Sequence, residues 1–240
     1  IDAHVHFREP GMEYKGDIES ESKAALLGGV TSFIDMPNTT PQTTDMEAVR
    51  DKIKRAGGRA WGNYGFHIGA TNTNLGMINE YLSGGLGSEF GGIKVFMGSS
   101  TGNMLVSDEE TLRKFFMIKD KPILIHSEDE AVIKANLMAA EAEFGDDIPF
   151  SEHPRIRSRK ACIRSTAKAL EMAIEYGTRL HVLHVSTAEE VEMIRAAKLH
   201  NPRITAETSA NYLWFCDEDY DRLKGRVKCF FKGNSLSCNN

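Results

Sequence analysis

The sequence predicts an α/β fold, a (β/α)8 barrel in preference to a large open sheet. Two observations carry this expectation. Short apolar runs alternate with helical patterns along the chain, which implies parallel strands joined by right-handed crossovers. Histidines then fall toward the ends of several of these runs, where barrel sites are built, and a lysine falls inside another. A length of 240 residues suits one such domain, since barrels run to about 250 residues.

The elements follow in order. Ile1–Phe7 reads as the first strand, and Asp17–Leu27 as a helix that Gly28-Gly29 closes. The run Val30–Met36 is the second strand and stops at Pro37. Thr44-Asp45 caps a helix running to Ala56, ended by Gly57-Gly58. Trp61–Gly69 is the third strand, with a weaker helix at Met77–Leu82. Gly92–Met97 is the fourth strand, Ser107-Asp108 opens the next helix, and Pro122–His126 is the fifth strand. Two long helices follow, Glu128–Phe144 and Arg159–Tyr176, separated by a loop holding Pro149, His153 and Pro154. Leu180–Val185 is the sixth strand, Ala188–Leu199 its helix and Ile204–Thr208 the seventh strand. Asp217–Leu223 reads as a short helix. No eighth strand is visible.

Composition excludes several classes. Hydrophobic residues at 41% and charged residues at 26% are globular values and argue against disorder. The net charge is −5, and no basic run interleaves with aromatics, so a nucleic-acid surface is not expected. No apolar stretch approaches the ~18 residues that span a bilayer, and no signal peptide opens the chain. The four cysteines, Cys162, Cys216, Cys229 and Cys238, form no CxxC pair. Neither a structural zinc finger nor a disulfide framework is expected, and a reducing cytoplasm fits. The chain begins at Ile1 and reads at once as a strand, so the protein is expected to start upstream.

Eight histidines remain, and their placement is informative. His4 and His6 are two apart on a strand, so both rings face one side. Two adjacent imidazoles suit a divalent transition metal such as zinc. A lone HxH is more often two core or surface histidines, so further ligands are needed. His126 ends the fifth strand, and His184 lies near the end of the sixth. By alternation His181 points the other way and is expected to pack or hydrogen-bond under a helix. Lys94 sits inside the apolar strand GIKVF. A bare ammonium buried there is costly. A neutral amine can instead take up carbon dioxide, giving a carbamate able to bridge two metal ions; the alternative is a lysine that snorkels to the rim.

Arg8 falls just past the first strand and can hold a substrate carboxylate through paired hydrogen bonds. Its alternative is a surface ion pair with Glu9 or Glu13. Asn38 stands just past the second strand and can join Arg8 at the same ligand, or merely form an Asx-turn. His67 can line the barrel, though no partner is implied. His153 and His200 read as solvated and Cys162 as packed. The loop Gly98–Asn103 is either a lid or an ordinary connection.

These segments resemble dihydroorotase, within the amidohydrolase superfamily. The most specific pieces are DAHVHFREPG at Asp2–Gly11 and DMPNT at Asp35–Thr39, and the segments GIKVFMG and HVLHVS agree. The resemblance implies two zinc ions: His4 and His6 on the more buried one, His126 and His184 on the other, carbamylated Lys94 and a hydroxide bridging both. It makes Arg8 and Asn38 the clamp for a substrate carboxylate. It implies reversible closure of N-carbamoyl-L-aspartate to L-dihydroorotate in pyrimidine synthesis, in the cytoplasm, on a small-molecule substrate without membrane or nucleic acid, and it is compatible with a homodimer.

Two features depart from the family. The small β-domain contributed by about fifty residues before the HxH strand is missing. After Lys228 no Asn-Pro loop and no strand-eight aspartate follow, and 229–240 fit nothing. The expected organisation is a partial barrel over 1–228 and an unrelated tail, with the acid/base carboxylate outside the chain. The 240-residue chain alone is therefore expected to be inactive. Two other readings stay open: another cyclic-amide hydrolase (an allantoinase, hydantoinase or dihydropyrimidinase), and a non-catalytic scaffold related to dihydroorotase.

Overall fold

The computed structural model describes residues 1–98, 103–216 and 219–222, with the last two of these described in backbone only. The described residues fall into two compact units. One draws on Ile1–Phe96 and Ser100–Leu124, the other on Met97–Ser99 and Ile125–Asn240.

In the first unit β1 (Asp2–Val5), β2 (Ser32–Asp35) and β3 (Asn63–Phe66) form a parallel sheet in that order. Asp2 lies opposite Phe33 and Val5 opposite Asp35, with an irregularity between them, and Asp35 lies opposite Phe66. After a single residue, His67, β4 (Ile68–Gly69) pairs in parallel with β5 (Ile93–Phe96), setting Gly69 opposite Lys94. The third expected strand is therefore two pieces. The break has a local cause. The His67 N–H still donates to Asp35 on β2 (3.0 Å), whereas the next residue, Ile68, donates to Gly92 (3.0 Å). The chain changes partners at His67, whose ring packs so closely on Gly91 that a Cβ there would sit 3.2 Å from it.

Three helices of this unit start where a carboxylate caps them. Asp17 and Ser20 form a reciprocal capping box for α1 (Ile18–Leu27), and Asp45 accepts from Ala48 N–H at the start of α2 (Met46–Ala56). After α3 (Leu75–Ser83), Asp108 caps α4 (Glu109–Phe116). The core between β1–β3 and their helices is Phe7, Ile18, Phe33, Ala56 and Phe66, with Val5, Ala25, Ile53 and Ala60 around it. Burying each of the larger side chains contributes about 1.5–3 kcal/mol.

β6 (Ile123–His126) follows in the chain, and the boundary between the units falls inside it. In the second unit β7 (Leu180–Val182) pairs in parallel with β8 (Thr205–Ala206), with His181 opposite Thr205. The helices here are α5 (Glu130–Phe144), α6 (His153–Ile156), α7 (Arg159–Tyr176), α8 (Ala188–His200), α9 (Ala210–Trp214) and α10 (Asp219–Arg222). Helix α5 starts two residues later than expected because Asp129 is its cap, and Glu128 turns inward instead. The two-residue β8 is much shorter than the expected 204–208 run, and α9 was not expected. Five residues are too few to establish a helical period, and Leu213 and Trp214 are exposed.

The α/β class with parallel strands holds. No helix among the described residues is long and apolar enough to cross a membrane. Cys162 is a buried free thiol, as expected. Cys216 is disulfide-bonded, which the sequence did not lead one to expect. His153 is not simply solvated: its ring stacks on Phe150 with centroids 5.7 Å apart. Part of the loop Gly98–Asn103, part of the expected 217–223 helix, and the tail 229–240 lie outside the described residues.

Candidate active site

Five of the expected site residues lie in the first unit. His4 is on β1 and His6 just past it, and their Nε2 atoms converge to 3.3 Å. Two nitrogens each about 2.0–2.1 Å from one tetrahedral zinc stand about 3.3 Å apart, so the pair fits a shared ion. The His6 imidazole is held well below its ordinary pKa, first by burial and then by the neighbouring His4, Arg8 and Lys94, with the Asn38 amide offsetting part of this. A neutral ring keeps the lone pair that a metal needs. Lys94, on β5, is 1% exposed with Nζ 4.5 Å from the centre of the Phe96 ring. It does not reach the surface, so the snorkelling alternative is excluded.

Arg8 has a left-handed backbone, φ 70°. Its guanidinium is half-buried, and neither carboxylate named above as its surface partner takes it. Glu9 is 4% exposed and accepts instead from Arg59 Nη1 (2.7 Å), Arg59 Nη2 (3.2 Å) and the Ile18 N–H (3.1 Å). Glu13 accepts from the Gly11 N–H (2.9 Å). No ion pair joins Arg8 to any carboxylate among the described residues. Nearby, Asn38 Oδ1 is buried and takes no hydrogen bond of ordinary geometry from the protein, with the His6 ring as its neighbour.

His126 and His184 belong to the second unit. His126 Nδ1 and His184 Nε2 are 3.0 Å apart, again a spacing suited to one shared ion. His126 Nε2 lies 2.7 Å from Glu128 Oε2 and 3.3 Å from Arg157 Nη2. Burial pushes the Glu128 carboxyl up, but hydrogen bonds from His126 and Arg157 outweigh it and bring it to about 2. An ionised carboxylate only accepts, so the shorter contact makes Nε2 the protonated nitrogen. Nδ1 then carries the lone pair and faces His184. A carboxylate behind a ligating histidine is a common way to fix its tautomer. Arg157 closes the arrangement, its Nε donating to Glu128 Oε1 at 3.0 Å and its Nη2 to Oε2.

The remaining histidines take structural places. His67 Nε2 donates to the Ala3 carbonyl (2.9 Å), and burial brings its pKa to about 4, so it stays neutral. His181 bonds Thr205 (2.8 Å) and Glu207 (3.1 Å), in keeping with its outward face. Among the described residues no three His, Cys, Asp or Glu side chains gather as a metal cluster. The candidate ligands are histidine pairs with a lysine near one of them. Sequence reading missed Asp35, Lys52, Glu128 and Arg157, all of which brace these residues.

The chain matches the amidohydrolase family over residues 1–210. A dihydroorotase from Methanosarcina acetivorans is 34% identical over 232 residues, which cover 93% of this chain and 48% of that protein. An allantoinase from Rubrobacter xylanophilus is 31% identical over 234 residues, covering 95% and 50%. The solved L-hydantoinase (dihydropyrimidinase) from Arthrobacter aurescens has a TM-score of 0.83 at 28% identity, covering 92% of this chain and 49% of that one. The chain spans about half the length of the curated relatives it matches. With the paired strand-end histidines and the parallel sheets already in place, a family match over most of its length means that this chain belongs to the amidohydrolase family.

Proposed function

We propose that the protein is a zinc-dependent cyclic-amide hydrolase of the dihydroorotase kind, interconverting N-carbamoyl-L-aspartate and L-dihydroorotate. The observation that carries this reading is Arg8, a half-buried guanidinium on a left-handed backbone with no carboxylate of its own. A planar fork of donors in that state suits a substrate carboxylate held by two parallel hydrogen bonds. L-Dihydroorotate has such a carboxylate, whereas hydantoin and allantoin have none.

The other residues take roles around that clamp. Asn38 Oδ1 accepts an N–H from the ligand. His4 and His6 present their Nε2 atoms, and His126 and His184 present Nδ1 and Nε2, as metal ligands. The Lys94 amine attacks carbon dioxide, forming a C–N bond and losing a proton, and the resulting carbamate supplies anionic oxygen ligands. Bound zinc supplies Lewis acidity toward the amide carbonyl and an activated water at neutral pH. The reading includes a cytoplasmic setting and allows a homodimer.

A second reading, a hydantoinase-like enzyme, is favoured by the TM-score of 0.83 to L-hydantoinase. One experiment separates the two: turnover of dihydroorotate, hydantoin and allantoin by the full-length protein, before and after chelation, with zinc content measured alongside. Dihydroorotate turnover that chelation abolishes and zinc restores, at two zinc per chain, is expected. Turnover of hydantoin without dihydroorotate refutes the dihydroorotase reading. Zinc content unchanged by His4→Asn or His126→Asn refutes the ligand assignment.

A further inference from the structure

The first unit holds a buried ion pair that neither the metal ligands nor the carboxylate clamp uses. Asp35 ends β2, Lys52 lies on α2, and both side chains are 1% exposed. Both oxygens of Asp35 are engaged. Oδ1 accepts the Phe7 N–H at 2.8 Å, and Oδ2 accepts Lys52 Nζ at 2.7 Å. Lys52 also donates to the Met36 carbonyl at 2.9 Å and lies 5.6 Å from the centre of the Phe66 ring.

Phe7 stands between His6 and Arg8, so Asp35 grips the backbone where the chain turns from a metal ligand into the carboxylate clamp. Arg8 is also within the electrostatic reach of Asp35: the carboxylate raises the Arg8 pKa, although burial lowers it more. A buried carboxylate next to an unpaired guanidinium normally pairs with it. Here a different cation, brought by a helix, takes that place.

We propose that Lys52 is the resident counter-ion of Asp35 and thereby keeps the Arg8 guanidinium open to an incoming substrate carboxylate. Asp35 and Lys52 are positioning residues and touch no substrate. Asp35 sets the backbone at Phe7, and Lys52 satisfies the charge that would otherwise capture Arg8. The inference rests on Arg8 being a carboxylate clamp, as proposed above.

The test uses Lys52→Met, Asp35→Asn and the double variant in the full-length protein, with three readouts. These are KM and kcat on dihydroorotate, its Kd by calorimetry, and exchange of the Arg8 Nε–H by ¹⁵N NMR without ligand. In Lys52→Met, Arg8 pairs with Asp35. The Nε–H becomes protected and Kd and KM rise on the order of tenfold to a hundredfold, the worth of one charge-assisted interaction, while kcat changes little. The double variant has no carboxylate to capture Arg8, so Kd and Nε–H exchange return to near wild-type values. Both charges are then absent from the core, so this variant reports even if Lys52→Met does not fold. A double variant with Kd raised tenfold or more, or a folded Lys52→Met with unchanged Nε–H exchange, overturns the proposal. If wild-type protein does not bind dihydroorotate, the functional reading fails, and the NMR comparison still decides the counter-ion role.

Discussion

Arg157→Met tests the bracing of the second unit most directly. Glu128 is 0% exposed and Arg157 is 18% exposed, so the substitution strips a fully buried carboxylate of its cation. What remains is the hydrogen bond from His126 Nε2 at 2.7 Å. Breaking a buried pair by removing one partner costs about 3–5 kcal/mol, because the other charge stays behind. With a urea m-value of about 2–3 kcal/mol/M, the unfolding midpoint should fall by about 1–2 M. Circular dichroism against urea at pH 7 measures it. Glu128→Gln leaves the better-solvated partner instead and keeps an amide oxygen for His126, so it should cost about 1–2 kcal/mol. Glu128→Gln/Arg157→Met buries no charge and should recover most of the loss. A cost below about 1 kcal/mol for Arg157→Met, or a double variant no better than the single, refutes the claim that Arg157 compensates Glu128.

Three further outcomes follow from the first unit. Gly11→Ala should destabilise by about 2 kcal/mol or more. Its φ is +83° and the new Cβ would lie 1.8 Å from the Thr40 carbonyl oxygen, and an unchanged denaturation midpoint would contradict this. Glu9→Gln should cost about 1.5–3 kcal/mol at pH 7. Burial pushes Glu9 up, but Arg59, the Ile18 N–H and Arg55 together hold it below its ordinary value. Its contribution is therefore complete above the unfolded carboxylate range and lost as the pH falls through the lowered native value. The variant should lose stability less steeply on acidification, and parallel wild-type and variant curves would disprove this. Arg8→Gly should be neutral or stabilising by up to about 1 kcal/mol, because glycine accepts φ 70° without strain but loses more chain entropy on folding. Binding of dihydroorotate by calorimetry should disappear in the same variant, and retained binding would remove Arg8 from the clamp.

The candidate site residues were legible because strand ends are legible. His4, His6, Lys94 and His126 interrupt or end apolar runs, and alternation separated His184 from His181. The residues that brace them come from elsewhere in the chain. Asp35 lies 28 positions from the Phe7 N–H it holds, and Arg157 lies 29 from Glu128. No local pattern records such a pairing. One signal was available: Lys52 falls on the stripe of α2 that buries Met46, Val49 and Ala56, and a lysine on an apolar stripe must find a partner inside. The same reasoning that singled out Lys94 applies to Asp35 in SFID. Strand lengths were overestimated because apolar runs extend past the last ladder hydrogen bond. The third run, unbroken in sequence, changes partners at His67 because two different strands supply its acceptors, Asp35 and Gly92.

Backbone strain falls on two of the candidate residues. Among the described residues, two that are not glycine have positive φ: Arg8 at 70° and His184 at 40°. Arginine rarely adopts that region, histidine somewhat more often, and each such conformation costs about 1–3 kcal/mol and persists only where its surroundings enforce it. Sequence alone could not have marked them, because strain is a property of the path and not of the side chain. Both belong to the residues selected on chemical grounds, one as clamp and one as metal ligand. In the first unit the enforcing contact is visible: Asp35 holds the Phe7 N–H immediately before Arg8. Glycine would accept this conformation without strain, so an arginine at position 8 is a feature that the clamp proposed above accounts for.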